Sequence, residues 1–277
     1  MKFERRNAIS ILENVKKSLM EAFSFMLPLL SIVLIWQLIV ELKIISPRLL
    51  PPPSEIAQTF LELSSQRTGG VPILLIHLYK SFIRIALGLS AAVLFGVTLG
   101  MLMGVNRIIY KMLQPIISFL IPIPTLAWVP ILLIWTGIGD KTIIITVFLG
   151  AFFVIVYNTA NGVRNVDRHL IWAAQIMGAN KWTLFTKVLL PGSLVSVITG
   201  LRLAVGYSWR ALVGAEMLAA TAWGLGYMVF AARALMAVNV MFVGLILIMV
   251  TGFIMENCIM VPLQRRTIER WGMVREM

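Results

Sequence analysis

The sequence predicts an all-α polytopic membrane protein. Three observations carry that prediction. Hydrophobic residues make up 59% of the chain and charged residues 13%, where a soluble domain holds about half and a quarter. The apolar residues gather into stretches long enough to cross a hydrocarbon core, which takes roughly 20 residues in a helix. The basic residues sit at the ends of those stretches, as they do in loops on the inner side of a membrane. That placement accounts for the net charge of +12 without nucleic acid, and no nucleic-acid partner is expected. The single cysteine, Cys258, rules out an intrachain disulfide.

Six spans follow in order. The first covers about 22–42. Lys16 and Lys17 precede its apolar run and no small-x-small cleavage site follows it, so it reads as a retained helix and not a signal peptide. Next comes an outer loop too short for a domain, in which Pro51-Pro52-Pro53 should be extended and stiff. The second span, about 80–104, opens on Lys80, Ser81 and Arg84. Gly96, Gly100 and Gly104 lie four apart on one face, which either admits a close helix neighbour or reflects the general tolerance of membrane helices for glycine.

The third span, about 113–136, is interrupted by Pro115, Pro122, Pro124 and Pro130. Proline removes a backbone donor and clashes with the preceding turn. Irregular backbone at membrane depth survives where protein or a watery cavity covers it, so this span is expected to line something. Gly137 to Thr142 reads as a tight turn; it lacks the spacing of a phosphate loop. The remaining spans are about 142–160, 193–219 and 240–262.

Between the fourth and fifth spans lies a polar-studded loop, 164–191. Asp167 can cap a first short helix that Gly178 ends; Asn180 can cap a second that Pro191 closes. With the N-terminus inside, the inner loops hold Lys2, Arg5, Arg6, Lys16, Lys17, Arg107, Lys111, Arg164, Arg168, Lys181, Lys187, Arg265, Arg266, Arg270 and Arg275. The outer side holds Lys43, Arg48, Arg67, Lys80, Arg84, Lys141 and Arg233. The bias places both termini and the 164–191 loop inside.

Charge within a span is costly and usually faces a partner or water. The fifth span carries Arg202, Arg210 and Glu216. Arg202, Trp209 and Glu216 form one helix stripe, and Arg210 points about 100° away from Trp209. Arg202 reads as structural, paired with a loop carboxylate or capping the inner loop segment. Arg210 has two readings, an anion contact in a translocation cavity or snorkelling to the outer interface. Trp128, within the proline-broken stretch, reads equally as cavity wall or interfacial belt, whereas Trp135 suits the belt. His77 and His169 fall on opposite sides and form no metal site together.

Ala173, Ala174, Gly178, Val188, Leu190 and Pro191 stand at the spacing A-A-x-x-x-G, nine residues, V-x-L-P. That pattern resembles the EAA cytoplasmic loop of ABC importer permease subunits, with Trp172 at the position of the motif's acidic residue. The resemblance covers about residues 45–270. It includes Pro122 to Pro130, Ile134 to Asp140, Gly200-Leu201-Arg202, Trp209, Ala215-Glu216-Met217, Gly224-Leu225-Gly226 and Leu263 to Arg266. Together these are similar to the taurine, aliphatic sulfonate and nitrate type of permease, and most to the taurine type.

The resemblance implies a type I ABC importer permease fold: a six-helix subunit with a cytoplasmic coupling helix, forming a homodimer in a bacterial inner membrane. It implies two ATPase subunits that bind ATP and Mg, an extracytoplasmic solute-binding protein, and no cofactor in this chain. Coupling to the ATPase would fall on Trp172, Ala173, Ala174, Gly178, Ala179, Trp182, Phe185 and Pro191. The translocation route or gate would fall on Arg210, Glu216, Trp209, Trp128, Pro122 and Pro124. At Glu216 the choice between a gate hydrogen bond and a packing role is open. The expected substrate is a small anionic solute, taurine or another sulfonate, with nitrate and bicarbonate also possible. The alternative is an ion-gradient-driven secondary transporter, which would show buried acidic residues in matched spans. Here Glu216 stands nearly alone, since Glu41 and Glu256 lie near span ends. A membrane enzyme would need a catalytic cluster at membrane depth, and the sequence contains none.

Overall fold

A computed structural model of the protein describes residues 26–28 and 30–268. The start of the first expected span, and Lys2, Arg5, Arg6, Lys16, Lys17, Arg270 and Arg275, lie outside the described residues, as do the side chains of Arg265 and Arg266. The regular structure of the described chain is helical apart from a hairpin of two two-residue strands, β1 (Arg67–Thr68) and β2 (Val71–Pro72). Gly69 and Gly70 turn it with φ of 60° and 82°, as a tight hairpin turn requires.

Among the described residues, four helices are long and apolar enough to cross a membrane, or five if one bent pair is taken as a single span. They are α3 (Ile73–Val105), α6 (Asp140–Arg164), the helix Lys181–Ala219 and the helix Val238–Gln264. The shorter apolar helix α1, Met26–Glu41, precedes them. Helix α2 (Pro53–Ser65) begins with Pro53 at its first turn, where the missing N–H costs nothing. Pro52 is extended as expected, with φ of −67° and ψ of 148°, but the third proline starts this helix. Ile56 and Thr59 of α2 are buried; Ile56 packs with Leu74, Met228 and Val243.

The second span starts earlier than expected. Helix α3 opens at Ile73, so Arg84 sits within it, 3% exposed, and is not a loop residue. The glycine stripe of α3 packs along α6. A Cβ at Gly88, Gly96 or Gly100 would meet Val147, Ile155 or Thr159 at 2.7, 3.0 and 2.5 Å, and one at Gly104 would strike Val163. The contacts advance together, by eight, four and four residues on both helices, which therefore run parallel. Gly100→Leu should drive them apart and cost about 1–3 kcal/mol or more, read by denaturant unfolding in micelles; an unchanged midpoint would refute this packing.

Helix α6 packs antiparallel to α9 (Leu190–Ala219), with Gly150 against Ala211, Asn158 against Gly200 and Gly162 against Ser196. The main core lies where α3, α6 and α9 meet α10 (Leu225–Ala234) and the helix Val238–Gln264. It contains Ile85, Val147, Leu212, Leu225 and Met255.

The third span is two helices bent by 92° and not one interrupted helix. Helix α4 (Arg107–Leu120) starts on an Asn106 cap that accepts from Ile108 N and Ile109 N. Pro115 stays inside α4, and Pro130 lies in the first turn of α5 (Val129–Thr136). Only Pro122 and Pro124 lie in the break: Ile121 still holds helical angles, φ −55° and ψ −44°, and the chain has left helix by Pro124, φ −55° and ψ 128°. A 3₁₀ turn, Thr125–Trp128, restarts the helix. Gly137 and Gly139, with φ of 77° and 137°, then form the expected tight turn into α6.

Pro191 does not close the loop's second helix. Helix α8 (Lys181–Leu184) continues through a π-turn, Phe185–Leu189, into α9 as one 39-residue helix. Leu190 N donates five residues back to Phe185 O. This wider turn accommodates the proline that follows, which has no N–H to lose. The same device recurs in the helix Val238–Gln264. There α11 (Val238–Ile254) passes through a π-turn, Met255–Met260, into α12 (Val261–Ile268). Val261 N donates to Glu256 O immediately before Pro262.

Candidate functional site

Three features are built on this frame. The first is a buried polar knot where α3, α6, α9 and α10 meet. Glu216 is fully buried. Its carboxylate accepts from Ser81 Oγ at 2.8 and 2.9 Å, Arg84 Nη1 at 2.8 Å and Gly226 N at 2.9 Å. The Gly226 N–H belongs to the first turn of α10, so a helix N-terminus faces the carboxylate. Arg84 also donates to Asp140 Oδ1 from Nε at 2.9 Å and Nη2 at 2.7 Å, and to Trp223 O at 2.6 Å. Leu225 N donates to Ser81 Oγ at 2.9 Å, and Gly224 N to His77 Nδ1 at 3.1 Å.

Gly224 is required here. Its φ is 141°, and a Cβ would lie 2.6 Å from both Arg84 Nη1 and Glu216 Oε1. Sequence reasoning singled out Glu216 but left Arg84 among the outer basic residues and His77 without a role. The available signal was an arginine in an apolar run with a glutamate in another.

The second feature is a cleft of about 610 Å³ along α9, lined by Arg202, Tyr207, Trp209, Arg210, Gly252 and Glu256. Trp209 is 8% exposed and packs on Gly252, where a Cβ would sit 2.9 Å from its Nε1. Arg202 donates from Nε to Glu256 Oε1 at 2.6 Å and from Nη1 to Gln264 Oε1 at 2.8 Å. Both acceptors belong to the helix Val238–Gln264, so Arg202 pairs with a carboxylate within a span and not with the loop carboxylate that was expected. Arg210 is exposed, its guanidinium 6.0 Å from the Tyr207 ring centroid. It forms no salt bridge among the described residues.

Tyr207 also lines a smaller cavity of about 240 Å³ beneath the third-span bend, with Pro122, Pro124, Trp128, Gly150 and Phe153. The structure thus brings Arg210, Trp209, Trp128, Pro122 and Pro124 to two adjoining hollows. Glu216 lines neither. Trp135 is 71% exposed, away from both.

The third feature is the 164–191 loop. Asp167 Oδ1 accepts from His169 N and Asn180 Oδ1 from Thr183 N, each at 2.8 Å. Helix α7 (Arg168–Ile176) ends at Gly178, whose φ is 80°. Gly178 N bonds Gln175 O and Ala179 N bonds Ala174 O, each at 3.0 Å, the paired closure that a left-handed glycine permits. Trp172, Ala173, Gly178 and Trp182 are exposed, whereas Ala174 is buried and Ala179, Phe185 and Pro191 are half-buried. Phe185 packs against the cluster of Met101, Val163 and Val197. Two residues that sequence reasoning passed over, Ile176 and Met177, are 87% and 81% exposed. Standing beside a helix-ending glycine was their only signal.

Comparison with known proteins gives consistent results. Residues 92–268 match the family model described as binding-protein-dependent transport system inner membrane component. The taurine transport system permease protein TauC of Escherichia coli (strain K12) is 37% identical over 241 residues, 87% of each chain. The putative aliphatic sulfonates transport permease protein SsuC of Bacillus subtilis (strain 168) is 34% identical over 242 residues, 87% of this chain and 84% of that one. A chain of the MetNI methionine ABC transporter, solved in inward-facing conformations, superposes with a TM-score of 0.59 at 20% identity. That match covers 73% of this chain and 97% of the other.

Proposed function

This chain belongs to the binding-protein-dependent transport system inner membrane components, the permease subunits of ABC importers, and from that premise we propose that it carries a small sulfonate-bearing solute along the cleft beside α9. It is the non-catalytic, multi-pass subunit of such an importer; ATP hydrolysis belongs to a separate subunit. The ion-gradient-driven alternative falls with family membership.

The observation that carries the substrate reading is Arg210, the cleft's charge without a carboxylate partner among the described residues. A guanidinium presents two parallel donors to a sulfonate or carboxylate. The names of the relatives, taurine and aliphatic sulfonates, support a sulfonate. Trp209, Trp128, Pro122 and Pro124 supply the walls, and Glu216 fixes the end of α9 from which the route is gated.

In this reading the subunit has six spans with both termini cytoplasmic, and two copies enclose the route. Two ATPase subunits, binding ATP and Mg, grip the exposed apolar surface around Gly178, and a solute-binding protein delivers cargo from outside. The exposure of Trp172, Ile176, Met177 and Trp182 supports the grip, since apolar side chains clustered on a loop mark interaction sites. ATP binding would draw the two loops together and turn the route outward by rigid-body motion.

The test is uptake of labelled taurine by proteoliposomes holding this permease with an ATPase and binding protein that assemble with it. Arg210→Ala should lower kcat/KM about ten- to a hundredfold, the worth of a charge-assisted hydrogen bond. Undiminished taurine uptake by that variant would end the substrate reading.

A further inference from the structure

The cleft holds a second arginine with a different status. Arg202 lies eight residues before Arg210 on α9, about 12 Å along the helix axis, and lines the same hollow. Its fork is occupied by Glu256 and Gln264.

That occupation is unlike the pairing of Arg84 with Glu216. Arg84 and Glu216 are sealed, their side chains 4% and 0% exposed, whereas Arg202 and Glu256 are 41% and 36% exposed. An ion pair so open is worth no more than about a fivefold preference over separation. Glu256 itself lines the cleft. It also sits within the π-turn Met255–Met260, and such turns are frequent at functional sites. Its carboxylate offers Arg202 what a sulfonate or carboxylate cargo would offer, oxygens that accept from a guanidinium.

We propose that Arg202 is a second anion-binding station in the cleft, nearer the loop end of α9, and that Glu256 is its resident anion, displaced when cargo arrives. Cargo held first at Arg210 passes to Arg202 as the Glu256 carboxylate swings aside, and Glu256 reoccupies the fork when cargo leaves. The two stations thus differ in kind: Arg210 is open, and Arg202 admits only an anion that outcompetes a tethered one. This rests on the reading that the cleft carries an anionic group.

The test is titration of the full-length permease in nanodiscs with ethanesulfonate, and with neutral ethanesulfonamide as control. Removing the internal competitor by Glu256→Gln should tighten ethanesulfonate binding up to about fivefold and leave ethanesulfonamide unchanged. Adding Arg202→Gln should abolish the gain. If Glu256→Gln leaves ethanesulfonate binding unchanged or weaker while Arg210→Ala still reduces it, the second station is refuted and the cleft reading stands. If binding is indifferent to Arg210→Ala as well, both fall. Should Glu256→Gln fail to assemble, Glu256→Asp withdraws the carboxylate by one methylene and keeps the charge. It must shift affinity in the same direction, and no shift would be equally decisive.

Discussion

Arg84→Ala is expected to destabilise the protein by about 3–5 kcal/mol, the cost of stranding one member of a buried ion pair. With Arg84 gone, the Glu216 carboxylate keeps only Ser81 and Gly226 as donors and stays fully buried. The carbonyl of Trp223 loses its donor as well, and the loop leading into α10 loses a tie to α3. Denaturant unfolding in micelles measures the loss. Asp140→Asn provides the contrast, because the Asp140 side chain is 54% exposed and its half of the network should be worth about 1 kcal/mol or less. Equal and small costs for both variants would mean that the knot does not hold the four helices together.

Ile176→Asp should cost the permease its ATPase. Ile176 is 87% exposed at the end of α7, so the unbound subunit tolerates the change. In a complex the new carboxylate would be buried without a partner. A hot-spot loss of about 2 kcal/mol corresponds to roughly thirtyfold weaker association. Pull-down of the ATPase and permease-stimulated hydrolysis read the loss together. Gly178→Val tests the same site through the backbone: a residue with φ of 80° costs a branched L-residue about 1–2 kcal/mol and should reorient α8 against α7. If both variants keep full ATPase association and stimulated hydrolysis, the coupling surface lies elsewhere.

The parts of this structure legible in the sequence are those set by local chemistry. Asp167, Gly178 and Asn180 punctuate the loop as their side chains and backbone freedom dictate. The glycine ladder of α3 allowed a close neighbour without requiring one, and which helix it was could not be read from one side of the contact. Pro191 misled because the interruption it threatens is absorbed by the π-turn before it, a feature of backbone geometry with no signature of its own in the residues. The third-span prolines were read as four equal breaks, yet Pro115 and Pro130 remain in helices and only Pro122 and Pro124 turn the chain. Helices α2 and α10 were invisible to a search for spans, being too short to cross. The pairing of Arg84 with Glu216 joins residues 132 apart in the chain, and no periodicity connects them.

Under a rigid-body motion that turns the route outward, the sealed knot at Glu216 would serve as the fulcrum of α9. The helix that begins at Lys181 runs unbroken to Ala219, so Lys181 lies about 52 Å from Glu216 along the axis, Arg202 about 21 Å and Arg210 about 9 Å. A tilt of about 10° around that fulcrum would sweep the loop end through roughly 9 Å but shift Arg210 by only about 1.6 Å. Arg202 would move by about 3.7 Å under the same tilt, more than enough to part a contact of 2.6 Å with Glu256. One lever would then gear a large stroke at the loop into a small adjustment at one arginine and the release of the other.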